Sequence, residues 1–215
     1  IEMKPIKPTI PPSLSILDNA SLLLSNEDSI TRVQINSEVL SSDDLDGKSI
    51  TESVIKSTDL SGVDVSRFDI SDCVLKDCSF TVTRLPESSW HRVSIDGGRC
   101  SGLQLNNSTL KNVIFTNSKL EFVNFRFSKI EKVAFENCAL DDVDFLEAQL
   151  KDVRFSNCTI NNITFAQARM KNVDLSESTV EGIKGVNSLK GATISHEQLI
   201  QLSPYFATEA GIRVK

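Results

Sequence analysis

The sequence predicts an all-β protein, a right-angled β-solenoid that is closed by a short helical segment at its C-terminal end. Three observations lead to this fold class. An apolar residue stands at every fifth position from Ile30 to Val180, a ten-residue alternation is superposed on that run, and both rhythms are lost after Ile183. They divide the 215 residues into a Pro-rich N-terminal arm and cap (1–26), a repeat region (27–185) and a C-terminal helical cap (186–215).

The five-residue period fits neither standard secondary structure. On an α-helix five steps advance about 140°, so the apolar side chains would spiral around the axis instead of forming one stripe. On a strand five is an odd number, so successive apolar residues would point to opposite faces. All of them stay inside only if the chain turns a corner every five residues, and four corners complete one coil. The thirty-one apolar positions then make between seven and eight coils.

The ten-residue alternation predicts how the interior is packed. Between Leu105 and Leu175 the central residue of each pentad, here called i, alternates between an aliphatic residue, as at Leu110, and phenylalanine, as at Phe115. Position i−2 alternates in step between a small residue and Val or Ile. The Val-x-Phe segments therefore fall on two opposed walls and the small-x-Leu segments on the other two. Large and small side chains complement one another across a rectangular interior.

Several segments resemble the pentapeptide-repeat family, whose pattern is Ala-(Asp/Asn)-Leu-x-x. They are Ala148-Gln149-Leu150-Lys151-Asp152, Val143-Asp144-Phe145 and Val173-Asp174-Leu175-Ser176-Glu177. The resemblance covers roughly residues 30–183 and implies a right-handed quadrilateral parallel β-helix, often dimeric through its C-terminal end. Asp or Asn precedes the central residue in only some pentads, so we expect turns less regular than the family pattern.

Composition narrows the function classes. A net charge of −6 gives no general affinity for nucleic acid or anionic membranes. No apolar run approaches the roughly 20 residues that cross a bilayer. The cysteines all occupy inward positions of the pentads: Cys73, Cys78, Cys100, Cys138 and Cys158. We interpret them as small core residues of a protein in the reducing cytoplasm, with a disulfide or a metal site as the alternative.

The chain has little equipment for catalysis. Its two histidines, His91 and His196, lie in different parts of the sequence. The paired acids stand at outward turn positions, where carboxylates usually bond their own backbone. A solenoid with a dry core also offers no cleft in which a substrate would be desolvated. We therefore expect a protein that is not an enzyme and that uses no cofactor or metal.

Two segments depart from the repeat pattern before its end. Residues 3–12 are rich in proline and are expected to be extended, while residues 13–25 are apolar enough to cap the open edge of the first coil. Residues 84–92 place Trp90 where a Leu is expected. Either this coil bulges around an inward Trp90, or the segment leaves the register as an exposed recognition loop.

The C-terminal segment predicts a helix. Ser195 followed three residues later by Gln198 is a capping box, so the helix begins at His196. Pro204 suits the start of a second short helix, and Gly211 suits its end. An apolar face of this segment would close the last coil: Leu199, Leu202, Phe206 and Ala210. The candidate dimer interface comprises Leu199, Ile200, Leu202, Tyr205, Phe206 and Ile212.

Function is expected to reside on the outer walls. Phe122 and Phe127 occupy the outward position i+2, one pentad apart, where polar residues prevail. Exposed aromatic residues often mark contact sites. One wall is mostly basic, and its only acids are Glu131 and Asp152. Its basic residues are Lys111, Lys129, Lys132, Lys151, Arg169 and Lys171. A neighbouring wall and its corner carry Asp141, Asp142, Asp144 and Glu147.

Three functions are weighed from these features. The first is a rigid protein–protein interaction module with an unknown protein partner, in which binding is the default use of a solid rod without catalytic groups. The second follows from the family resemblance, which includes members that mimic duplex DNA, bind a type II topoisomerase such as gyrase and protect it from quinolones. The basic wall argues against that reading. The third is a structural protein, which the two predicted caps disfavour because they prevent end-to-end growth.

Overall fold

The computed structural model describes residues 4–17 and 28–213. The chain forms a parallel β-solenoid of about eight turns that is followed by a helix, as the sequence predicts. The cap predicted at residues 13–25 lies for the most part outside the described residues. Within the described part of the chain, no helix has the length and apolar character that a membrane crossing requires.

The strands are short in the first coils and merge across corners in the last ones. They are β1 (Ser15–Leu17), β2 (Ser29–Thr31), β3 (Val33–Asn36), β4 (Ser49–Thr51), β5 (Val54–Lys56), β6 (Asp69–Lys76), β7 (Ser89–Asp96), β8 (Thr109–Thr116), β9 (Lys119–Glu121), β10 (Lys129–Glu136), β11 (Ala139–Asp141), β12 (Gln149–Thr164), β13 (Arg169–Lys184) and β14 (Ala192–Thr193). Two α-helices, α1 (Ser42–Leu45) and α2 (His196–Glu209), and a 3₁₀-helix (Val186–Ser188) complete the described elements.

The pairing register confirms a coil of twenty residues. Leu110 lies beside Ile130, and Ile130 lies beside Leu150, in parallel pairs. Residue i+2 of nearly every pentad has a positive φ, for example 57° at Asn107 and 56° at Asn112. This left-handed conformation turns the corner, and it favours Asn, Asp and Gly because a bulkier side chain crowds the backbone. The corner after every fifth residue gives the solenoid four sides.

The interior is built around stacked phenylalanines. Phe115, Phe135 and Phe155 stack along one wall with ring centroids 5.1 and 4.8 Å apart, and all three are fully buried. Phe125 and Phe145 stack on the opposed wall at 5.0 Å. Rings of the two walls meet edge to face, with centroids about 6.4 Å apart, which is a favoured aromatic geometry. The core is therefore continuous from coil to coil.

The small residues at i−2 bond to the backbone of the preceding coil. The Ser128 hydroxyl donates to the Leu105 carbonyl over 2.7 Å, and the Cys158 thiol donates to the Phe135 carbonyl over 3.3 Å. All five cysteines are buried and free. Burial raises the pKa of Cys73 and of Cys100 to about 12, so these thiols stay protonated and act as small core groups.

Trp90 packs inward and the chain stays in register. The alternative prediction of an exposed loop at residues 84–92 is therefore wrong. Trp90 pairs in line with Leu110 and lies 6.3 Å from the ring of Phe80. The pairing of β7 shows no shift that would indicate a bulge. The same coil has Gly98 and Cys100 at inward positions. Their small volume offsets the large indole, as close packing requires.

The first coil contains one element that the pentad pattern did not predict. Helix α1 makes a single turn, and its N-terminus is capped because Asp44 accepts hydrogen bonds from the Ser41 amide (2.7 Å) and hydroxyl (2.8 Å). Leu45 remains fully buried. The local capping chemistry therefore replaces an extended wall with a helical turn, while the inward position is kept.

The N-terminal arm runs along the outside of the rod, opposite to the winding direction. The Ile6 amide donates to Asn112 Oδ1 over 3.1 Å, and the Thr9 amide donates to Asp72 Oδ1 over 3.0 Å. Further on, β1 pairs in parallel with β3. Arg92 donates to the Asp72 carboxylate and thereby lowers its pKa. The arm is extended, as its prolines predict, and it covers a corner across several coils.

Helix α2 begins at His196 with the predicted capping box, and Gly211 (φ 71°) follows its end. The prediction of two short helices around Pro204 is wrong, because one helix runs through this residue. Proline cannot donate to the carbonyl of Ile200. The Ser203 hydroxyl donates to that carbonyl instead, over 2.7 Å, so the helix continues without a buried unpaired group.

Gln198 connects α2 to the last coil. Its side-chain amide donates to the Leu175 carbonyl over 2.7 Å and to the Ser178 carbonyl over 2.5 Å. The first bond spans the same 23 residues as the bonds made by the i−2 hydroxyls and thiols. A glutamine of the helix thus makes the hydrogen bond that a small i−2 residue would make in a further coil. It satisfies backbone carbonyl groups at the end of the solenoid.

Candidate interaction surface

Three corners in the described part of the solenoid carry large apolar side chains that are exposed. Val82, Phe122 and Phe127 have φ angles of 55°, 52° and 61°, and 63%, 65% and 47% of their surfaces are exposed. A β-branched residue in the left-handed region is a genuine outlier. Polar residues and glycine fill most of the other corners. We call these three residues the apolar corner set.

The twenty-residue register places the two phenylalanines at the two edges of one wall. Phe122 stands at the corner before the wall centred on Phe125, and Phe127 stands at the corner after it. Val82 belongs to the same corner as Phe122, two coils earlier, with Gly102 between them. At about 4.8 Å per coil, Val82 and Phe122 are roughly 10 Å apart along the axis.

The predicted acidic residues lie next to the phenylalanines. One coil further on, Asp142 occupies the corner of Phe122 and Glu147 occupies the corner of Phe127. Asp144 lies on the wall between them, where its carboxylate accepts from Arg126 over 2.7 Å. Asp141 is different, because it belongs to the wall before this corner. The structure therefore brings three of the four acids together with the aromatic pair.

Hydrogen-bonded ladders fix the polar surface of this wall. The Asn124 amide donates to Gln104 Oε1 over 2.8 Å. Asp144 Oδ1 accepts from the Leu146 amide over 2.8 Å. The half-exposed pair of Arg126 and Asp144 stabilises the fold by no more than about 1 kcal/mol. Its main effect is to hold both charges in place beside the phenylalanines.

The basic wall begins at the Phe127 corner and is partly neutralised. Glu131 pairs with Lys111 at 3.9 Å and with Lys151 at 2.8 Å, and the hydrogen bond from Lys151 lowers the pKa of Glu131. Among the described residues, four cations of this wall have no carboxylate within ion-pair distance: Lys129, Lys132, Arg169 and Lys171. Two of these cations lie on the coil of Glu131, and two lie on the last coil of the wall.

A depression of about 440 Å³ joins the basic wall to the aromatic corner. Its lining comprises Phe127, Glu147, Gln149, Gln167 and Arg169. It combines one aromatic ring, one acid and one base over three successive coils. An aromatic residue within a mixed-charge rim is a common composition for a protein contact site.

Helix α2 turns two of the four predicted closing residues inward, Leu202 and Phe206, and Gln198 joins them. Leu202 is 1% exposed and Gln198 is buried, with Phe206 packed partly against the core. The prediction that Leu202 belongs to the dimer interface is therefore wrong, because this side chain fills the molecule's own interior. Leu199, predicted on the closing face, points outward instead. The exposed apolar residues of this segment are Leu199, Ile200, Tyr205 and Ile212.

The groups that most resemble catalytic equipment have structural roles. His91 lies beside Arg92, and its pKa is lowered by burial and by that guanidinium. Asp72 is held by Arg92 and by the Thr9 amide of the arm. Within the described residues, no group of three His, Cys, Asp or Glu side chains is placed to hold a metal.

Reasoning from the sequence missed Val82, although the signal was present. Val82 occupies position i+2 after Phe80, as Phe122 does after Leu120. An apolar residue at i+2 is the common mark of all three members of the apolar corner set. Only the structure shows the conformational cost of an apolar residue at these positions, because the positive φ is not visible in the sequence.

The architecture is that of a β-solenoid repeat protein. Residues 108–184 match the family model described as pentapeptide repeat region. This part of the chain belongs to the pentapeptide-repeat family. No curated protein has a sequence that matches the chain.

Three solved structures are distantly similar to this chain in sequence and fold. A trypsin-treated QnrB1, a plasmid-mediated fluoroquinolone resistance protein, shares 17% identity with a TM-score of 0.38, covering 85% of this chain and 98% of its own. HetL from the cyanobacterium Nostoc sp. strain PCC 7120, involved in heterocyst differentiation regulation, shares 12% with a TM-score of 0.25, covering 78% and 90%. Rfr23 from the cyanobacterium Cyanothece 51142 shares 12% with a TM-score of 0.17, covering 66% and 91%. At these scores no function is carried over from them.

Proposed function

We propose that this pentapeptide-repeat protein is a non-catalytic interaction module that binds a protein partner through the apolar corner set. One observation carries the proposal: Val82, Phe122 and Phe127 are exposed apolar residues in the left-handed region. For residues with a side chain this conformation costs about 1–2 kcal/mol. Asn, Asp or Gly would cost less at each corner. A binding partner best explains why exposed apolar side chains occupy these strained positions.

The rigidity of the rod supports this use. The stacked rings of Phe115 and Phe135 lie under the walls, and each coil is hydrogen-bonded to the next. The spacing between Phe122 and Phe127 is thus set by the fold and not by a flexible loop. Preorganised aromatic side chains supply binding energy with little loss of conformational entropy.

The surroundings of the phenylalanines indicate the chemistry of the partner. Asp142, Asp144 and Glu147 border the pair on the C-terminal side, and Glu147 shares a depression with Phe127 and Arg169. A complementary protein would present an apolar pocket with basic residues beside it. Such charge complementarity increases specificity and the association rate more than the affinity itself.

Replacing both phenylalanines by asparagine tests the proposal. Phe122→Asn/Phe127→Asn is expected to leave the melting temperature unchanged or to raise it, because asparagine tolerates the left-handed region better. The same variant is expected to lose a partner captured by the wild type, with affinity reduced at least about 100-fold. Circular dichroism melts and affinity capture followed by mass spectrometry measure the two effects.

The control variant is Asn137→Gly/Asn157→Gly, which changes two corners of a different edge of the rod. Both residues have positive φ, 53° and 52°, so glycine fits without strain. This control should retain the partner. Loss of stability in the Phe variant without loss of binding would show that the phenylalanines are structural, and the proposal would fail.

The DNA-mimic alternative has less support from the surface. A protein that binds the DNA-binding saddle of a type II topoisomerase needs a continuous acidic face. Here the unpaired Arg169 and Lys171 interrupt the acidic surface near its C-terminal end. Protection of gyrase supercoiling from a quinolone would establish this alternative, and its absence would leave the general interaction module.

We also propose that α2 pairs two molecules. Ile200 and Tyr205 are 62% and 40% exposed on the outward side of the helix, and Leu199 and Ile212 are exposed as well. Ile200→Glu is expected to shift a dimer to a monomer in sedimentation equilibrium, because a charge would enter an apolar interface. The control is Gln201→Glu, the same new charge at an exposed neighbouring position. Unchanged association of Ile200→Glu would exclude α2 as the interface.

A further inference from the structure

The last coil is one residue short, and this opens a cleft. In most pairs of the solenoid the residues are twenty apart, but Val173 pairs with Ala192, nineteen residues ahead. The 3₁₀-helix Val186–Ser188 and the turn to Gly191 carry the chain away from the wall that begins at Gln167. Strand β14 then pairs with only two residues of β13. The edge of β13 at residues 169–172 has no strand paired with it on this side.

Two backbone N–H donors lie on this unpaired edge of β13. In earlier coils the amide of a central residue such as Leu60, and that of a corner residue such as Glu52, donates to a carbonyl one coil ahead, over 2.9 and 3.1 Å. Met170 and Asn172 hold the same two positions in the last coil. Within residues 28–213 neither amide meets a backbone or side-chain acceptor. Both N–H groups are therefore available to a ligand.

Cations surround these donors. The cleft encloses about 620 Å³, a size typical of small-molecule sites. Its polar lining comprises Gln167, Arg169, Lys171, Asn172, Asn187, Ser188 and Lys190. No carboxylate lines it, and Arg169, Lys171 and Lys190 have no ion pair among the described residues. Two acids lie beside the lining: Asp152 accepts from the Asn172 side chain and Glu209 accepts from the Asn187 side chain, each over 2.7 Å.

Gly191 holds the outer wall of the cleft close to β13. Its φ is 95°, and a Cβ atom there would lie 3.1 Å from the Met170 carbonyl carbon and still closer to its oxygen. Only glycine allows this approach. The position of Lys190 next to the two free amides is thus fixed by the backbone.

We propose that this cleft binds the phosphate group of a small phosphorylated ligand. Adjacent backbone N–H groups at a sheet edge form an anion site, and charge-assisted bonds from Arg and Lys strengthen it. Met170 and Asn172 supply the two N–H donors. Arg169, Lys171 and Lys190 supply the charge, and the remaining volume accommodates the rest of the ligand. The site adjoins the depression beside Phe127, whose lining also includes Gln167 and Arg169.

An NMR titration of the full chain with inorganic phosphate and with ATP tests this site. Saturable shifts of the Met170 and Asn172 amides are expected with at least one of the two. Arg169→Gln/Lys190→Gln should weaken binding about tenfold or more, since bonds to charged groups are removed. The control Lys111→Gln/Lys129→Gln removes the same charge from the same wall two or three coils away, and should change binding less than about threefold because of screening.

The two probes distinguish the sources of the phosphate. Much tighter binding of ATP than of phosphate identifies a nucleotide-sized ligand, and equal affinities identify the phosphate group alone. Two results would overturn the proposal: no saturable shift of either amide with either probe, or equal weakening by the control pair. In either case the cations merely protect an open strand edge from pairing with another chain.

Discussion

Phe135→Asp is expected to unfold the central coils of the solenoid. Phe135 is fully buried and stacks on Phe115 and Phe155 at 5.1 and 4.8 Å, with edge contacts to Phe125 and Phe145 at 6.4 and 6.5 Å. Removing a buried phenylalanine ring costs about 3–5 kcal/mol, and an unpaired carboxylate adds a desolvation penalty of several kcal/mol. The total approaches the whole stability of a typical domain, about 5–15 kcal/mol.

Thermal melts followed by circular dichroism measure this effect. Phe135→Leu is the matched control, because it keeps an apolar side chain in the stack and should cost only about 1–2 kcal/mol. We expect the Asp variant to lose its cooperative transition and the Leu variant to keep it. A Phe135→Asp protein that melts like the parent would show that the alternation of inward residues has been assigned wrongly.

Gly185→Ala is expected to release the C-terminal cap. A Cβ at residue 185 would lie 2.5 Å from the Ala166 Cα and 2.9 Å from the Phe165 carbonyl carbon, with an even closer approach to the Ala166 nitrogen. These are backbone atoms of the neighbouring coil, so no side chain can move aside. The positive φ of 81° adds about 1–2 kcal/mol. We expect a loss of several kcal/mol at the junction between the solenoid and residues 186–213.

Hydrogen exchange of the α2 amides measures the release of the cap. The control is Gly211→Ala, which has the same sign of φ, 71°, but no atom within 4 Å of its Cβ. It should show only the conformational cost and keep most of the protection of α2. Equal exchange in the two variants would mean that the contact with Ala166 does not fix the cap.

The repeat could be predicted from the sequence because one constraint recurs in every pentad. A residue such as Leu110 or Phe115 must be buried, and the five-residue period allows this only in a four-cornered coil. Trp90 was ambiguous, since its fit depends on the volumes of Gly98 and Cys100 two pentads away. The one-turn helix α1 was missed because the bonds of Asp44 to Ser41 are local and do not disturb the period.

The C-terminal segment shows a second limit of reasoning from sequence. Pro204 lies inside α2, where the Ser203 hydroxyl makes the hydrogen bond to Ile200 that proline cannot donate. The inward face was predicted correctly at Leu202 and Phe206 and wrongly at Leu199, because Gln198, a polar residue, is one of its anchors. A hydrophobic pattern alone favours Leu199 over Gln198 for that face. The tertiary bonds to the last coil decide otherwise.

The candidate sites were only partly visible in the sequence. Phe122 and Phe127 could be singled out because both break the polar pattern at i+2. The strain at these positions needed the φ angles. The cleft beside β13 could not be foreseen, since it depends on a pairing offset of nineteen residues and on the two free amides of Met170 and Asn172.

The most direct test of the interaction module is site-specific crosslinking in cells. A photoreactive phenylalanine analogue at position 122 keeps the aromatic character of the corner, and the same analogue at position 137 reports on a different edge of the rod. We expect position 122 to capture one specific protein that position 137 does not, and the Phe127→Asn change to weaken that capture. The same set of products from both positions, or no product from position 122, would contradict the assignment of the apolar corner set as a binding surface.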